Sequence, residues 1–215
     1  MQKQRDVAEG AAGFSLLELM VALGVTMVIM VAAGKMLAMS MNVRTRENQR
    51  TEAIADAQRA LQAMTRDINN AGLGLSSNGI ICDDPAEAVY GEIRIRSNLD
   101  GFTEVVPDTT DSDEDVVYTL INDATVNPPQ RLVVRQDVST GRISQLANRI
   151  DGLHFDFLNA DDTAAASVAA AVKVRITVWV SLPAIGTPGV PGYQPPTRMR
   201  LSSQAALRNS LLTQQ

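Results

Sequence analysis

Cysteine, histidine and tryptophan each occur only once in this chain of 215 residues, and aromatic residues make up 4% of it. A single cysteine, Cys82, excludes an internal disulfide, so the fold has to rest on packing. A single histidine, His154, leaves no Ser/His/Asp, HExxH or CxxC arrangement, and no paired-carboxylate pattern stands out. We therefore expect a protein that is not an enzyme and that needs no cofactor.

A strong excess of one sign of charge is also absent: the chain has 19 lysines and arginines and 24 acidic residues, for a formal net charge of −5. No basic stretch is interleaved with aromatic side chains, as a nucleic-acid surface would require. We expect no direct nucleic-acid binding.

Charge is almost missing from residues 14–41. Lys35 is the only charged side chain between Leu19 and Val43. A helix needs about 20 mostly apolar residues to cross the hydrocarbon core of a membrane. Lys35 lies near one end of the run, where its ammonium can reach the headgroups while its methylenes stay in apolar surroundings. The run therefore predicts a membrane-spanning helix.

Glu18 stands inside this apolar run. A carboxylate within a membrane helix costs on the order of 2.5–3.5 kcal/mol, which marks it as functional and calls for a cationic partner. If the chain is cut after Gly13, Phe14 becomes a new N-terminus whose α-ammonium lies four residues before Glu18. We expect Glu18 to neutralise that amine, either within one chain or between two staggered chains.

The residues around this point carry a family resemblance, in the run Gly13-Phe14-Ser15-Leu16-Leu17-Glu18-Leu19-Met20-Val21. It resembles the class III signal of type IV pilins and type II secretion pseudopilins. The resemblance implies that a prepilin peptidase removes a leader, residues 1–13, and methylates the Phe14 amine. Glu18 then matches the glutamate at the family's fifth mature position.

Two plainer interpretations explain less. An ordinary secretory signal peptide would have a shorter apolar run without a glutamate, and it would be followed by an Ala-x-Ala site. A plain signal anchor would leave the cost of Glu18 unexplained.

The helix is expected to continue through residues 44–71, because residues 44–70 contain neither proline nor glycine. Apolar residues recur there at spacings of three and four, which predicts one apolar stripe: Ile54, Ala57, Leu61, Met64 and Ile68. The opposite face is polar: Arg50, Glu52, Asp56, Arg59, Gln62, Arg66 and Asp67. A continuous helix from Ser15 to about Asn70 would be a rod roughly 80 Å long. The membrane and filament-core part would then be residues 14–43.

Residues 72–215 change to turns and period-two alternation. Six strand candidates occur, at residues 89–96, 116–121, 132–135, 153–157, 172–180 and 199–207. Such alternation is typical of an antiparallel sheet with one covered face, and the helix stripe is the obvious cover. We predict an α+β fold: one long N-terminal helix packed on an antiparallel sheet.

Four short patterns in this region sharpen the resemblance: Asp115-Val-Val-Tyr, Ile150-Asp-Gly-Leu-His-Phe-Asp-Phe, Val172-Lys-Val-Arg-Ile-Thr-Val-Trp-Val and Ala206-Leu-Arg-Asn. They resemble the PilW family of minor pilins, which is related to the J-type minor pseudopilin.

Long loops are predicted at residues 108–115, 159–171 and 183–196. The first carries five carboxylates in eight residues, of which Asp108, Asp111, Asp113 and Asp115 are the candidates for calcium. The spacing is not that of an EF-hand, so a solvated acidic turn is favoured over an ion site. The second, with Asp161-Asp162 followed by the Ala-rich stretch 164–171, predicts a flexible hairpin connector. The third, with five prolines, is either a surface for partners or a linker.

The resemblance implies a structural subunit: a minor type IV pilin that primes or caps pilus assembly. Its partners would be other pilin subunits through the N-terminal helix, the prepilin peptidase, and the bacterial inner membrane before assembly. The head domain would lie on the periplasmic side. Three alternatives stay open: a minor pseudopilin of type II secretion, a filament-tip adhesin or ligand-binding module, and an anchored periplasmic protein that is never processed.

Overall fold

The computed structural model describes residues 13–82, 91–100, 108–125 and 130–208. The predicted leader lies, except for Gly13, outside the described residues, as do positions 89 and 90 of the first strand candidate. The described elements are helix α1 (Leu16–Asn70), strands β1 (Ile80–Ile81), β2 (Glu92–Arg96), β3 (Asp115–Asp123), β4 (Gln130–Asp137), β5 (Ile143–Ala147), β6 (Ile150–Leu158), a 3₁₀ turn (Val168–Ala170), β7 (Lys173–Leu182) and β8 (Thr197–Ala206).

Helix α1 is a single unbroken element of 55 residues, about 80 Å long at 1.5 Å per residue. It ends where predicted: the Ala71 N–H bonds to the Ile68 carbonyl, and Gly72 follows with φ of +74°. Every residue from 13 to 41 is exposed, and burial on the helix begins at Arg46. The first half of the helix therefore projects from the body of the protein, and the second half belongs to it.

The strands form two antiparallel sheets instead of one. Sheet A has the order β1-β2-β3-β4-β5, and sheet B has the order β6-β7-β8. The predicted α+β class, with one long helix packed on antiparallel sheet structure, is confirmed. Strands β1 and β5 were not predicted from the sequence. The first has only two residues, and the second reads Ile-Ser-Gln-Leu-Ala with just one fully buried side chain, so neither gives a clear alternating signal.

The core lies between the second half of α1 and the two sheets, because the helix packs on β5, β7 and β8. Ala53, Ala57 and Ala60 are fully buried, and such short side chains let the helix backbone approach the strands closely. Four alternate residues of β7 are also fully buried: Val174, Ile176, Val178 and Val180. The predicted alternation of β7 is therefore confirmed on its apolar face.

Both faces of the second half of α1 differ in part from the prediction. Ile54 is only half-buried, while Asp56, assigned to the solvent face, is buried and paired with Arg59. The Asp67 side chain, also assigned to solvent, is only 10% exposed. On β7, Thr177 is buried rather than exposed. Thr177 lies in the central strand of sheet B, on the face opposite Ile176 and Val178, and the alternation pattern alone cannot show that this face is covered.

The segment 159–171 is not a free connector. The Asn78 amide donates to the Val168 carbonyl at 2.7 Å, and the Ala165 N–H donates to the Phe157 carbonyl at 2.9 Å. Lys173 pairs with Asp162 at 3.0 Å, and Ala171 is fully buried. The segment joins the antiparallel strands β6 and β7, as predicted for a hairpin connector, but alanine carries no sequence signal for the hydrogen bonds that it makes.

Candidate assembly helix and the contacts that anchor it

The predicted cleavage point lies immediately before α1. Gly13 and Phe14 are exposed and outside the helix, and Phe14 has an exposed fraction of 83%. Nothing lies within 4 Å of the position that a Cβ on Gly13 would occupy. The peptide bond between the two residues is therefore open to an enzyme that binds extended chain.

Ser15 is the N-cap of the helix, and its hydroxyl accepts a hydrogen bond from the Glu18 N–H at 3.2 Å. Ser15 and Glu18 have the spacing of a capping box, in which a serine and a glutamate three residues later satisfy the first backbone donors. Our sequence interpretation gave Ser15 no role, although this spacing was a visible signal. Glu18 lies in the first turn, where the positive end of the helix dipole favours a carboxylate.

Glu18 is exposed, and no ion pair with it occurs among the residues that the structure describes. At Phe14 the nitrogen is a peptide N–H in this uncut chain, so the predicted amine partner does not exist before cleavage. The geometry is thus that of a carboxylate one helical turn from a nitrogen that becomes charged when the leader is removed.

The first half of α1 presents apolar side chains on all sides. The helix is long and apolar enough to cross a membrane, because its most apolar 18-residue window has a mean hydropathy of 2.4 and no buried residue. The large apolar side chains of this half are 39–79% exposed, and Met39, near its end, lies beside Gly192. Exposure of such an apolar surface to water is unfavourable, and surfaces of this kind are normally covered by lipid or by another protein.

Small residues interrupt this surface at Ala22, Gly24, Ala32, Ala33 and Gly34. Nothing lies within 4 Å of a Cβ built at Gly24 or Gly34, so both positions are open to an approaching helix. The helix runs through both glycines without a break. Small residues on an apolar helix allow close helix–helix packing in an apolar environment.

A polar cluster anchors the end of α1 to sheet A. The Tyr118 hydroxyl donates to Asp67 Oδ2 at 2.7 Å, and Arg135 Nε donates to the same oxygen at 2.9 Å. Arg135 also donates to Asp113 at 2.6 Å. Burial, and then the Asp67 carboxylate, raise the pKa of Tyr118 far above its usual range, so it stays a donor. One helix carboxylate therefore joins β3, β4 and the acidic loop.

A second anchor lies near the middle of the helix. Arg46 is 6% exposed and donates to the carbonyls of Pro183 and Pro195 and to the Thr197 hydroxyl. The Asn42 amide donates to the Gly192 carbonyl at 3.4 Å. The loop 183–196, which the sequence left as either a partner surface or a linker, is therefore packed along α1. No sequence signal could have paired Arg46 with residues about 140 positions away.

The acidic segment 108–115 is divided among several partners, so the four calcium candidates do not converge. Asp115 accepts from Arg94 and Arg96, Asp113 pairs with Arg135, and Asp108 bonds to Thr110. Burial opposes ionisation of Asp115, but the two arginines outweigh it and lower its pKa. Two members of the segment, Glu114 and Asp115, are buried, so the expectation of a solvated acidic turn is wrong for them.

Within the part of the chain that the structure describes, Asp111 is the one calcium candidate that lies in a cluster of carboxylates, together with Asp100 and Glu114. Their oxygens lie within 4.8 Å of one another. The hydrogen bond with Asp100, and then its charge, raise the pKa of Asp111, as expected for carboxyl groups that share a proton. Glu114 is occupied by backbone N–H groups, at 2.5 Å from Leu99 and 3.3 Å from Asp111. These hydrogen bonds tie Glu114 to the backbone of Leu99 and Asp111.

Comparison of the chain with models of protein families, with curated proteins and with solved structures found no match.

Proposed function

We propose that this protein is a minor subunit of a type IV pilin-like filament, anchored in the bacterial inner membrane by residues 14–41 before assembly. Its head, the two sheets and the second half of α1, would lie on the periplasmic side. A prepilin peptidase would cut between Gly13 and Phe14 and methylate the new amine. The subunit would then enter the filament through its N-terminal helix and prime or cap assembly.

One observation carries this proposal: an unbroken helix whose first 30 Å or so is exposed and carries apolar side chains except for Glu18, Thr26 and Lys35. Among the described residues, no ion pair is formed by Glu18 in its first turn. A soluble protein would bury such a surface. A membrane covers it in a monomer, and the helices of other subunits cover it in a filament.

The position of Glu18 near the Phe14 nitrogen supports a role in assembly in addition to anchoring. In a plain anchor, the helix dipole would return only about 0.3–1 kcal/mol for Glu18, whereas a carboxylate inside a membrane helix costs on the order of 2.5–3.5 kcal/mol. Cleavage after Gly13 would create the cation that offsets this cost. The new amine can pair with Glu18 of its own chain or with that of a neighbour, so a staggered helix pair would neutralise two charges at once.

The anchored head supports the same proposal. Asp67 at the end of α1 and Arg46 near its middle both bind strands or loops of the body. The head and the second half of the helix are therefore a rigid unit, and force applied to the apolar half passes into the head through these contacts.

The N-terminus and mass of the protein, purified from native membranes, test the proposal. We expect a chain that begins at Phe14 and carries one added methyl group. Gly13→Ala is the matched variant, and we expect it to accumulate with its leader, because the cleavage site would have to accept a side chain. An intact leader in the parent, or a cut elsewhere, would contradict the proposal and favour an anchored protein that is never processed.

A pilus subunit is distinguished from a pseudopilus subunit by deletion. We expect loss of surface pili, with secretion of folded exoproteins unchanged. The opposite result would assign the chain to type II secretion.

A further inference from the structure

The loop 183–196 has a composition unlike the rest of the head. Its sequence is Pro-Ala-Ile-Gly-Thr-Pro-Gly-Val-Pro-Gly-Tyr-Gln-Pro-Pro, without one charged residue. In the chain as a whole, charged residues make up 20%, so a stretch of 14 residues would ordinarily contain two or three. The loop is nevertheless on the surface: Val190 is 54% exposed, and residues 186–191 are all exposed.

The loop is held in one shape. Ile185 and Gln194 exchange both backbone hydrogen bonds, at 3.0 and 2.9 Å. Beyond this pair, the Val190 N–H donates to the Thr187 carbonyl and the Tyr193 N–H donates to the Val190 carbonyl, both at 3.1 Å. The exposed tip, residues 187–191, is therefore a compact double turn on a short two-stranded stem.

The contacts of the loop with α1 show which way the tip points. Its base, at Pro183 and Pro195, is held by Arg46. Further along, the Gly192 carbonyl accepts from Asn42, and a Cβ on Gly192 would meet Met39 at 3.1 Å. From base to tip the contacts move from Arg46 to Met39, about 10 Å along the helix at 1.5 Å per residue. The tip therefore points along the helix toward its apolar half.

The position of Lys35 indicates how deep in the membrane the tip of the loop would lie. Twenty residues from Leu16 end at Lys35 and span about 30 Å, the thickness of the hydrocarbon core. Met39 then lies about 6 Å beyond the core, inside a headgroup layer that is about 5–8 Å thick on each side. An uncharged tip at this level meets a much smaller penalty for leaving water than a tip with lysine or aspartate would, because desolvating a charge costs far more than desolvating a peptide group.

We propose that the loop 183–196 is a membrane foot: its tip inserts Val190 and the flanking prolines into the headgroup layer beside α1. The occupant of this surface is lipid. The half-buried Tyr193 is of the residue type that favours the membrane–water interface, with its ring on apolar surroundings and its hydroxyl in the wet layer. Because Arg46 ties the foot to the helix, the foot fixes the height and rotation of the head above the membrane.

This inference rests on the proposed membrane anchoring of α1, but it does not require pilus assembly. Fluorescence quenching by lipids tests it with the full chain in phosphatidylcholine–phosphatidylglycerol vesicles whose acyl chains are brominated at known depths. A Cys82→Ser background provides single labelling sites. The probe is an environment-sensitive fluorophore on Val190→Cys.

Two labels serve as references. Met30→Cys lies in the apolar half of the helix, and Thr140→Cys lies in the exposed turn after β4, which Asp137 joins to Asp113 of the acidic loop. Asp113 is linked through Arg135 to Asp67, about 30 Å along α1 from Arg46. We expect quenching of the Val190 label by shallow bromines, with a blue shift of its emission. The Met30 label should be quenched most by deep bromines, and the Thr140 label should not be quenched.

Three outcomes would overturn the foot. A Val190 label that behaves like the Thr140 label, while the Met30 label is quenched, overturns the foot and leaves the anchor intact. A Val190 label that lipid does not quench, but that self-quenches as the protein-to-lipid ratio rises, shows that the tip packs on a second copy. Absence of quenching at Met30 refutes the anchor itself, and the foot with it.

Discussion

The Tyr118 hydroxyl and the Asp67 carboxylate meet at 2.7 Å across the interface between α1 and sheet A. Tyr118 is fully buried, and its partner is the last acidic residue of the helix. Arg135 completes the contact on the same oxygen. The end of the helix is therefore fixed by a charged network at the edge of an otherwise apolar core.

Removal of the carboxylate should cost more than removal of the hydroxyl. Tyr118→Phe removes one hydrogen bond to a charged group, and we expect a loss of about 1.5–3 kcal/mol in the free energy of unfolding. Asp67→Ala leaves the Arg135 charge and the tyrosine hydroxyl without this partner, and we expect a loss of about 3–5 kcal/mol. Urea denaturation of the full chain in detergent measures both.

Arg66→Ala is the matched control, because Arg66 also pairs with Asp67 but is 68% exposed. We expect a change within about 1 kcal/mol for this surface pair. Equal losses for Arg66→Ala and Asp67→Ala would show that the network does not stabilise the fold.

Arg46 should control the loop 183–196. Arg46→Ala removes three hydrogen bonds, to the carbonyls of Pro183 and Pro195 and to the Thr197 hydroxyl. We expect faster hydrogen exchange at the Ile185 and Gln194 amides, which pair with each other, and little change in sheet B. Arg50→Ala, an exposed arginine one turn further along α1, should leave both rates unchanged. Unchanged exchange in Arg46→Ala would contradict the anchoring role.

The sequence predicted the parts of this fold that depend on periodicity. The length of α1, its stop at Asn70, and the alternation of β7 all follow from apolar spacing and from the position of glycine. Gly13 and Phe14 lie exposed just before the helix, and cleavage between them stays a prediction from contiguous residues. Local pattern is sufficient where neighbours in the chain determine the structure.

The sequence could not predict contacts between distant residues. Asp67, Asp56 and Arg46 look like ordinary polar residues of a helix surface, and their burial depends on strands or loops that lie close only in the folded chain. The division into two sheets depends on similar detail. Arg149 adopts φ of +57° between β5 and β6, and a register shift follows at Ile150, so the chain leaves one sheet and starts another.

Stability should fall in acid through Asp115 and Asp137. Burial opposes ionisation of Asp137, but bonds from the Ser139 hydroxyl, the Asp113 N–H and Thr140 hold its pKa far below its usual range. Since the folded pKa of each group lies below the unfolded value of about 3.9, each stabilises the fold above that pH. The stabilisation is lost as the pH falls from there through the folded pKa.

Urea midpoints measured between neutral pH and pH of about 2 check this expectation. Asp115→Asn should lower the midpoint at neutral pH and reduce its fall in acid, because one of the linked protons is gone. Asp111 acts in the opposite direction, since its pKa is raised. A fall in midpoint that is the same in Asp115→Asn and the parent would exclude Asp115 as a source of the acid sensitivity.

The glycine turn after α1 should tolerate no side chain. Gly79 has φ of +73°, and a Cβ there would meet the Gly72 nitrogen at 2.0 Å and the Arg96 carbonyl oxygen at 2.2 Å. We expect Gly79→Ala to cost more than about 3 kcal/mol, because backbone on both sides must move. Gly141 has a similar φ of +68° with nothing within 4 Å, so Gly141→Ala should cost only about 1–2 kcal/mol. Thermal unfolding of the two variants separates steric from conformational strain, and equal losses would contradict the steric explanation.

The last prediction concerns Glu18, whose proposed role is in assembly and not in cleavage of the leader. Glu18→Ala and Glu18→Gln both remove the negative charge, and both leave Gly13 and Phe14 in place for cleavage. We expect normal mature mass in each variant. Filament incorporation should fall tenfold or more, because 1.4 kcal/mol is a factor of ten and an unpaired membrane charge costs about 2.5–3.5 kcal/mol.

Glu47→Ala provides the control, since Glu47 is an exposed glutamate of the same helix beyond the apolar run. Immunoblots of sheared filaments and of membranes measure incorporation and processing separately. If Glu18→Gln enters filaments as well as Glu47→Ala does, the carboxylate is not the partner of the amine, and the charge of Glu18 needs another explanation. If Glu18→Gln fails like Glu18→Ala, the carboxylate itself is required, because glutamine preserves the size of the side chain and one acceptor oxygen but not the charge.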